Sequence, residues 1–300
     1  MTDPHRRRST IYVAVRGAAE VVAYGRDSGE ELARVAVGLL PSGIAARTDG
    51  DRIYVACAGS HTVQVIDGAN RTVLDTIALP HGAAPSHLVL SPDGRTLYVA
   101  ATGLDAVYVF DAPTLQQTAE IPVGRAPTRL AIDGDGRRLF VLATEAGRVD
   151  IIDTGGARVV AGVAVGSRPS DLAFDARSGA VFVVRPGAPI LGVLPDGAAR
   201  VREVALDVPA AALALDLAPG RLLAASPDLG RIAILATGTG TTTKVIRVPA
   251  VSRVALDPEG KRLYALSARR GLLLYVNRVL GGVERELKVG KDPWDLVLIP

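Results

Sequence analysis

An all-β fold, a seven-bladed β-propeller of four-stranded antiparallel blades, is predicted by three features of this 300-residue chain. One unit, opened by a proline-led apolar strand, recurs along nearly its whole length. Hydrophobic residues make up 48% but aromatics only 4%, so Ala, Val, Leu and Ile carry the apolar content. Interruptions are frequent, with 32 Gly and 19 Pro, which favours many short strands and tight turns over long helices.

The clearest unit runs from Pro85 through Asp93-Gly94 to Leu97-Tyr98-Val99-Ala100. Others start at Pro41, Pro127 and Pro169, degenerate copies at Ala210 and Val251, and a last one at Pro293. Successive starts are 44, 42, 42, 41, 41 and 42 residues apart, the length of a propeller blade at about 40–45 residues. Each unit reads as four strands. The first, such as Leu88–Leu90, lies between the proline and an Asp-Gly turn whose glycine accepts a positive φ. The second is Thr96–Ala100 in the clearest copy. The third alternates, as in Val63–Asp67, Val107–Asp111 and Val149–Asp153. The fourth ends in Val-Gly, at Val37-Gly38, Val123-Gly124, Val165-Gly166 and Val289-Gly290.

The ends complete the count. The last unit holds only a first strand, Trp294–Ile299, whereas the chain begins with a second strand, Thr10–Val15, followed by Glu20–Tyr24 and Glu31–Val37. Joining these segments makes the seventh blade and removes an open sheet edge. The expected organisation is a flexible tail over residues 1–9 and one propeller domain over residues 10–300.

Charge and cysteine exclude several classes. Net charge is +3, from 34 basic and 31 acidic residues, and the arginines are dispersed. Nucleic-acid binding calls for a basic stripe with interleaved aromatics that stack bases, and none is present, so no nucleic-acid partner is expected. Cys57 is the only cysteine, which rules out an internal disulfide and a cysteine zinc cluster, and its place in Ile53–Cys57 reads as a buried inert thiol. Arg6-Arg7-Arg8 resembles the start of a signal, but Ile11–Val15 is too short for an apolar core of about 7–15 residues. No run approaches the ~18 residues needed to cross a membrane. A cytoplasmic monomer with no membrane partner and no cofactor is expected.

At Leu97–Ala100, Ile53-Tyr54-Val55-Ala56 and Ile11-Tyr12-Val13-Ala14 the sequence resembles the YVTN-repeat β-propellers, over roughly residues 10–300. The resemblance implies the seven-bladed fold. The wider superfamily includes lactonase-like enzymes, domains of redox proteins and binding proteins. Because the repeat motif is structural, the resemblance transfers no catalytic residue.

Motifs for chemistry are sparse. The four histidines are His5, His61, His81 and His87, and no metal, nucleophile-elbow or phosphate-loop signature is found. Asp133-Gly134-Asp135-Gly136 imitates the start of a calcium loop but lacks the later Glu and occupies the repeating turn. Gly238-Thr239-Gly240 reads as an ordinary loop. No metal site is expected. Aligning the units two residues after their start gives Gly43, His87, Arg129, Asp171, Ala212, Arg253 and Asp295, a ring at the channel mouth. Nearby loops add Arg125, Arg168, Arg185, Arg269, Lys291 and Trp294.

Two readings of this ring follow. Arg129, Arg253, Arg125, Arg168, Arg185, Lys291 and Trp294 form a contact surface for a protein partner or a small anionic ligand, in a non-enzymatic binding propeller. Alternatively His87, Asp171 or Asp295 serves as a general base in a cytoplasmic lactonase-like hydrolase or lyase acting on a small anion such as a sugar lactone. Read purely as structure, the ring is a set of Asp–Arg pairs that satisfies the channel entrance.

Overall fold

The computed structural model describes residues 9–216, 220–257, 259–260 and 262–299. Within them the strands form seven four-stranded antiparallel sheets. Blades 1 to 7 take their inner strands from Pro41–Ala46, Pro85–Leu90, Pro127–Ile132, Asp171–Asp175, Ala212–Leu215, Arg253–Leu256 and Pro293–Ile299. Each inner strand lies against that of the next blade, and Pro293–Ile299 touches both Arg253–Leu256 and Pro41–Ala46, so the ring is closed. Closure uses the expected join. Thr10–Val15 pairs with Pro293–Ile299, Tyr12 opposite Val297, and the sheet continues through Glu20–Gly25 to Glu31–Ala36. His5 lies outside the described residues. Among the described residues no helix is long and apolar enough to cross a membrane.

Alternation along each strand sends one set of side chains toward the preceding blade and the other toward the next. The core is therefore a series of inter-blade layers. Between blades 1 and 2, Tyr54, Val63 and Val65 pack on Leu88, Leu97 and Val99. The motif tyrosines add polar ties to this packing. Tyr12 Oη donates to Gly68 O at 3.0 Å and Tyr54 Oη to Ala112 O at 3.3 Å, each reaching a turn of the following blade. Three serines repeat the tie nearer the axis: Ser42, Ser86 and Ser170 Oγ donate to Pro85, Pro127 and Ala211 O at 2.6, 3.0 and 2.8 Å. Cys57 is buried within blade 1, and burial pushes its thiol up to about 11, which leaves it protonated and unreactive. Asp133 closes its turn by accepting from the Arg137 and Arg138 N–H groups at 2.8 and 3.1 Å, as the turn reading requires.

Two details differ from the sequence reading. The inner strands of blades 4 to 6 begin two residues after the unit start, because Ser170, Ala211 and Ser252 each donate their N–H to one second-strand carbonyl, at 2.9, 2.9 and 2.7 Å. A single turn of 3₁₀ helix, Ala268–Arg270, follows the second strand of blade 6 and stops at Gly271 with φ 68°.

Candidate functional site

In blades 1, 2, 3 and 7 the register slips by one residue just after the opening proline. Ser42, Ser86, Thr128 and Trp294 are the extra residues of these bulges. A bulge leaves its residue out of the ladder and re-aims the side chain, here toward the channel mouth. A cavity of about 480 Å³ opens there, lined by these four residues together with Thr102, Thr144, Ser170, Arg16, Arg129, Arg168, Arg253 and small apolar groups. Among the described residues no acidic one lines it.

Below the cavity the ring residues converge across the axis. Arg129 Nε lies 3.3 Å from Asp171 Oδ1, and its Nη1 lies 3.8 Å from Asp295 Oδ2 on the far side of the ring. Arg253 Nη1 is 3.1 Å from Asp171 Oδ2. Arg129 and Asp171 are each only 6% exposed. These two arginines and two aspartates balance, so they form a neutral floor. Gly43 belongs to the same ring, and a Cβ there would sit 2.9 Å from the His87 Cα, so only glycine lets blades 1 and 2 approach so closely.

The three candidate proton-transfer groups do not line the cavity. Each is an acceptor for the next blade. His87 Nδ1 accepts from Leu130 N–H at 3.3 Å, and Asp171 Oδ2 from Leu213 N–H at 2.9 Å. Asp295 accepts from the Ile44 N–H. Burial holds the His87 imidazole well below its ordinary range and therefore neutral. Burial also raises Asp171 to about 6 against the opposing pull of Arg129, and it raises Asp295 in the same way. Both oxygens of Asp171 are engaged, since Oδ1 also accepts from Leu172 N–H at 3.1 Å.

The basic candidates divide. Arg129, Arg253, Arg168 and Trp294 line the cavity. Arg125 and Arg185 do not. They pair at 2.8 and 2.7 Å with Glu145, in the turn after the second strand of blade 3, and with Glu203, on the outer strand of blade 4. Arg269 faces Asp228 at 3.7 Å with 77% of its side chain exposed. Lys291 also stays outside the cavity, and its carbonyl accepts the Gly17 N–H at 3.0 Å. Among the described residues Arg168 forms no ion pair, and no group of three His, Cys, Asp or Glu is placed to hold a metal. His61 and His81 meet edge to face, 5.2 Å between centroids, and neither lines the cavity.

The family model for YNCE-like β-propellers matches residues 4–182, more than half of the chain. The chain belongs to the YNCE-like β-propeller family. No curated protein matches it. Among solved structures it is similar to a chain of the hydrazine synthase of Kuenenia stuttgartiensis, with 21% identity and a TM-score of 0.77 over 94% of this chain and 93% of that one. It is also similar to a Bacteroides fragilis protein named as a 6-phosphogluconolactonase, with 16% identity and a TM-score of 0.81 over all of both chains. A third is the dihydro-haem d1 dehydrogenase NirN, with 14% identity and a TM-score of 0.73 over 99% of this chain and 76% of that one. At such identities the likeness establishes the fold alone.

Sequence reasoning missed Arg16 in this family member, although the repeat alignment carries its signal. The position of Arg16, at the exit of the second strand, is Ala58, Thr102, Thr144, Pro186, Pro227 and Ala268 in the other blades. The residue after each unit start is Ser42, Ser86, Thr128, Ser170, Ala211 and Ser252 against Trp294. Both exceptions fall in blade 7. The hydroxyl wall was missed for another reason: which side of a bulge faces the axis is a property of the closed ring.

Proposed function

We propose that this propeller is a binding protein that captures a small oxyanion-bearing ligand at the channel mouth. The observation that carries the reading is the cavity of about 480 Å³, lined among the described residues by four arginines and no acidic residue. Two of the arginines are neutralised by the floor aspartates, which leaves Arg16 and Arg168 as a net positive charge facing the opening. A volume of this size is within the ~300–1,000 Å³ of small-molecule sites, which favours a small ligand over a protein partner. Binding is favoured over lactone hydrolysis because His87, Asp171 and Asp295 stand outside the cavity wall with their acceptor atoms engaged by backbone N–H groups.

The test is calorimetric titration of the wild type and of Arg168→Glu with organic and inorganic anions. Arg168 is exposed and makes no structural pair, so this variant keeps the fold. An affinity at least tenfold weaker in the variant is expected. Identical isotherms would remove the mouth from consideration.

A further inference from the structure

The cavity wall is sevenfold in pattern but not in content. Blades 1 to 4 line it with small residues at two register positions, which blades 5 and 6 also fill with small residues, and the closing blade presents Arg16 and Trp294 instead. These two replacements touch each other. The Arg16 guanidinium lies over the Trp294 ring, 4.1 Å from its centroid. Its Nε is shielded from solvent and donates to no acceptor, a costly state for a charged donor.

Neither replacement belongs to the repeat. Trp294 gives up the hydroxyl tie that Ser42, Ser86 and Ser170 make to the following blade. It keeps 36% of its surface exposed at the mouth. Arg16 is nevertheless held firmly. Its N–H donates to Asp292 O and that of Gly17 to Lys291 O, both at 3.0 Å. A Cβ on Gly17 would fall 2.6 Å from the Lys291 carbonyl, so glycine is required for this approach. The backbone therefore delivers a stacked, pre-oriented guanidinium to the cavity wall.

We propose that Arg16 and Trp294 are the specificity element of the mouth and that they select the carboxylate of a small organic acid. The inference rests on the reading of the mouth as an anion site and names the class of anion. A guanidinium lying flat on an indole keeps its N–H edge in one plane. The two oxygens of a carboxylate match that edge bidentately, and the free part of the indole accepts the apolar body of the acid. A phosphate can engage the same fork, but inorganic phosphate brings no apolar body to set against the indole, and that contact is what favours the organic acid.

Trp294 is the only tryptophan in the chain, so tryptophan fluorescence reports on this position alone. The wild type, Arg16→Gln, Arg16→Lys and Arg168→Glu are titrated with succinate, hexanoate and inorganic phosphate, reading fluorescence and heat together. A saturable fluorescence change with the carboxylates is expected, at least tenfold weaker in Arg16→Gln, with phosphate at least tenfold weaker than the better carboxylate in the wild type. Arg16→Lys keeps the charge without the planar fork and is expected to lose as much. Carboxylate affinity retained in Arg16→Lys, or phosphate binding as tightly as the acids, overturns the assignment. Heat that disappears in Arg168→Glu but is unchanged in both Arg16 variants overturns it too, while leaving the mouth as an anion site. No heat with any of the three anions removes the mouth reading itself.

Discussion

Replacing Arg129 with Met keeps the bulk of the side chain and removes the charge that spans the channel. Asp171 then retains only Arg253, at 3.1 Å, and Asp295 loses the guanidinium 3.8 Å away. Breaking a buried ion cluster by deleting one member costs about 3–5 kcal/mol. At about 2 °C per kcal/mol for a chain of this length, that is a fall in Tm of about 6–10 °C at neutral pH. The loss also has a defined pH dependence. The folded value for Asp171, about 6, lies above the ordinary 3.8, so its contribution to stability is complete below about pH 3.8 and is lost as pH rises through about 6. Without Arg129 only the Ile44 and Leu296 N–H groups offset the ionisation of Asp295, and Asp171 keeps one of its two arginines, so the decline steepens. Urea denaturation of wild type and variant at about pH 7.5 and about pH 4.5 measures both effects. A loss below about 1 kcal/mol at the higher pH, or one of equal size at both, would refute the reasoning.

Three further outcomes follow from the same geometry. Tyr54→Phe strands the Ala112 carbonyl and is expected to lower stability by about 1 kcal/mol in urea denaturation. Deleting residues 293–300 leaves Thr10–Val15 as an open edge, so the truncated chain is expected to lose cooperative unfolding by circular dichroism and to self-associate in gel filtration. Protonation of Asp171 as pH falls through about 6 frees the floor arginines from a negative charge, so anion affinity in calorimetry is expected to rise toward lower pH. A flat profile would separate the floor from binding.

The ring was legible in the sequence because its causes are local. A proline start, an Asp-Gly turn and a Val-Gly exit recur at nearly constant spacing, and Trp294–Ile299 paired with Thr10–Val15 as the count required. Seven aligned ring positions also sufficed to bring Arg129, Asp171, Arg253 and Asp295 together. The division of labour among them was not legible. Whether Asp171 faces solvent as a base or buries both oxygens between blades depends on the twist of neighbouring sheets. Arg125 and Arg185 illustrate the opposite error: proximity to the mouth in sequence did not outweigh the glutamates beside them, Glu145 in a turn of blade 3 and Glu203 on the outer strand of blade 4. Arg16 was visible as a break in the repeat, but its stacking on Trp294 joins residues at opposite ends of the chain.

The most direct test of the central claim, that the channel mouth is an anion site, is a crystal structure of the protein with an organic acid at a concentration that saturates it by calorimetry. The result expected is density for the acid in the mouth cavity, its carboxylate within hydrogen-bonding distance of Arg16 and its body against Trp294. Density confined to the outer loops near Arg125 or Arg185, with the cavity holding only water, would contradict it.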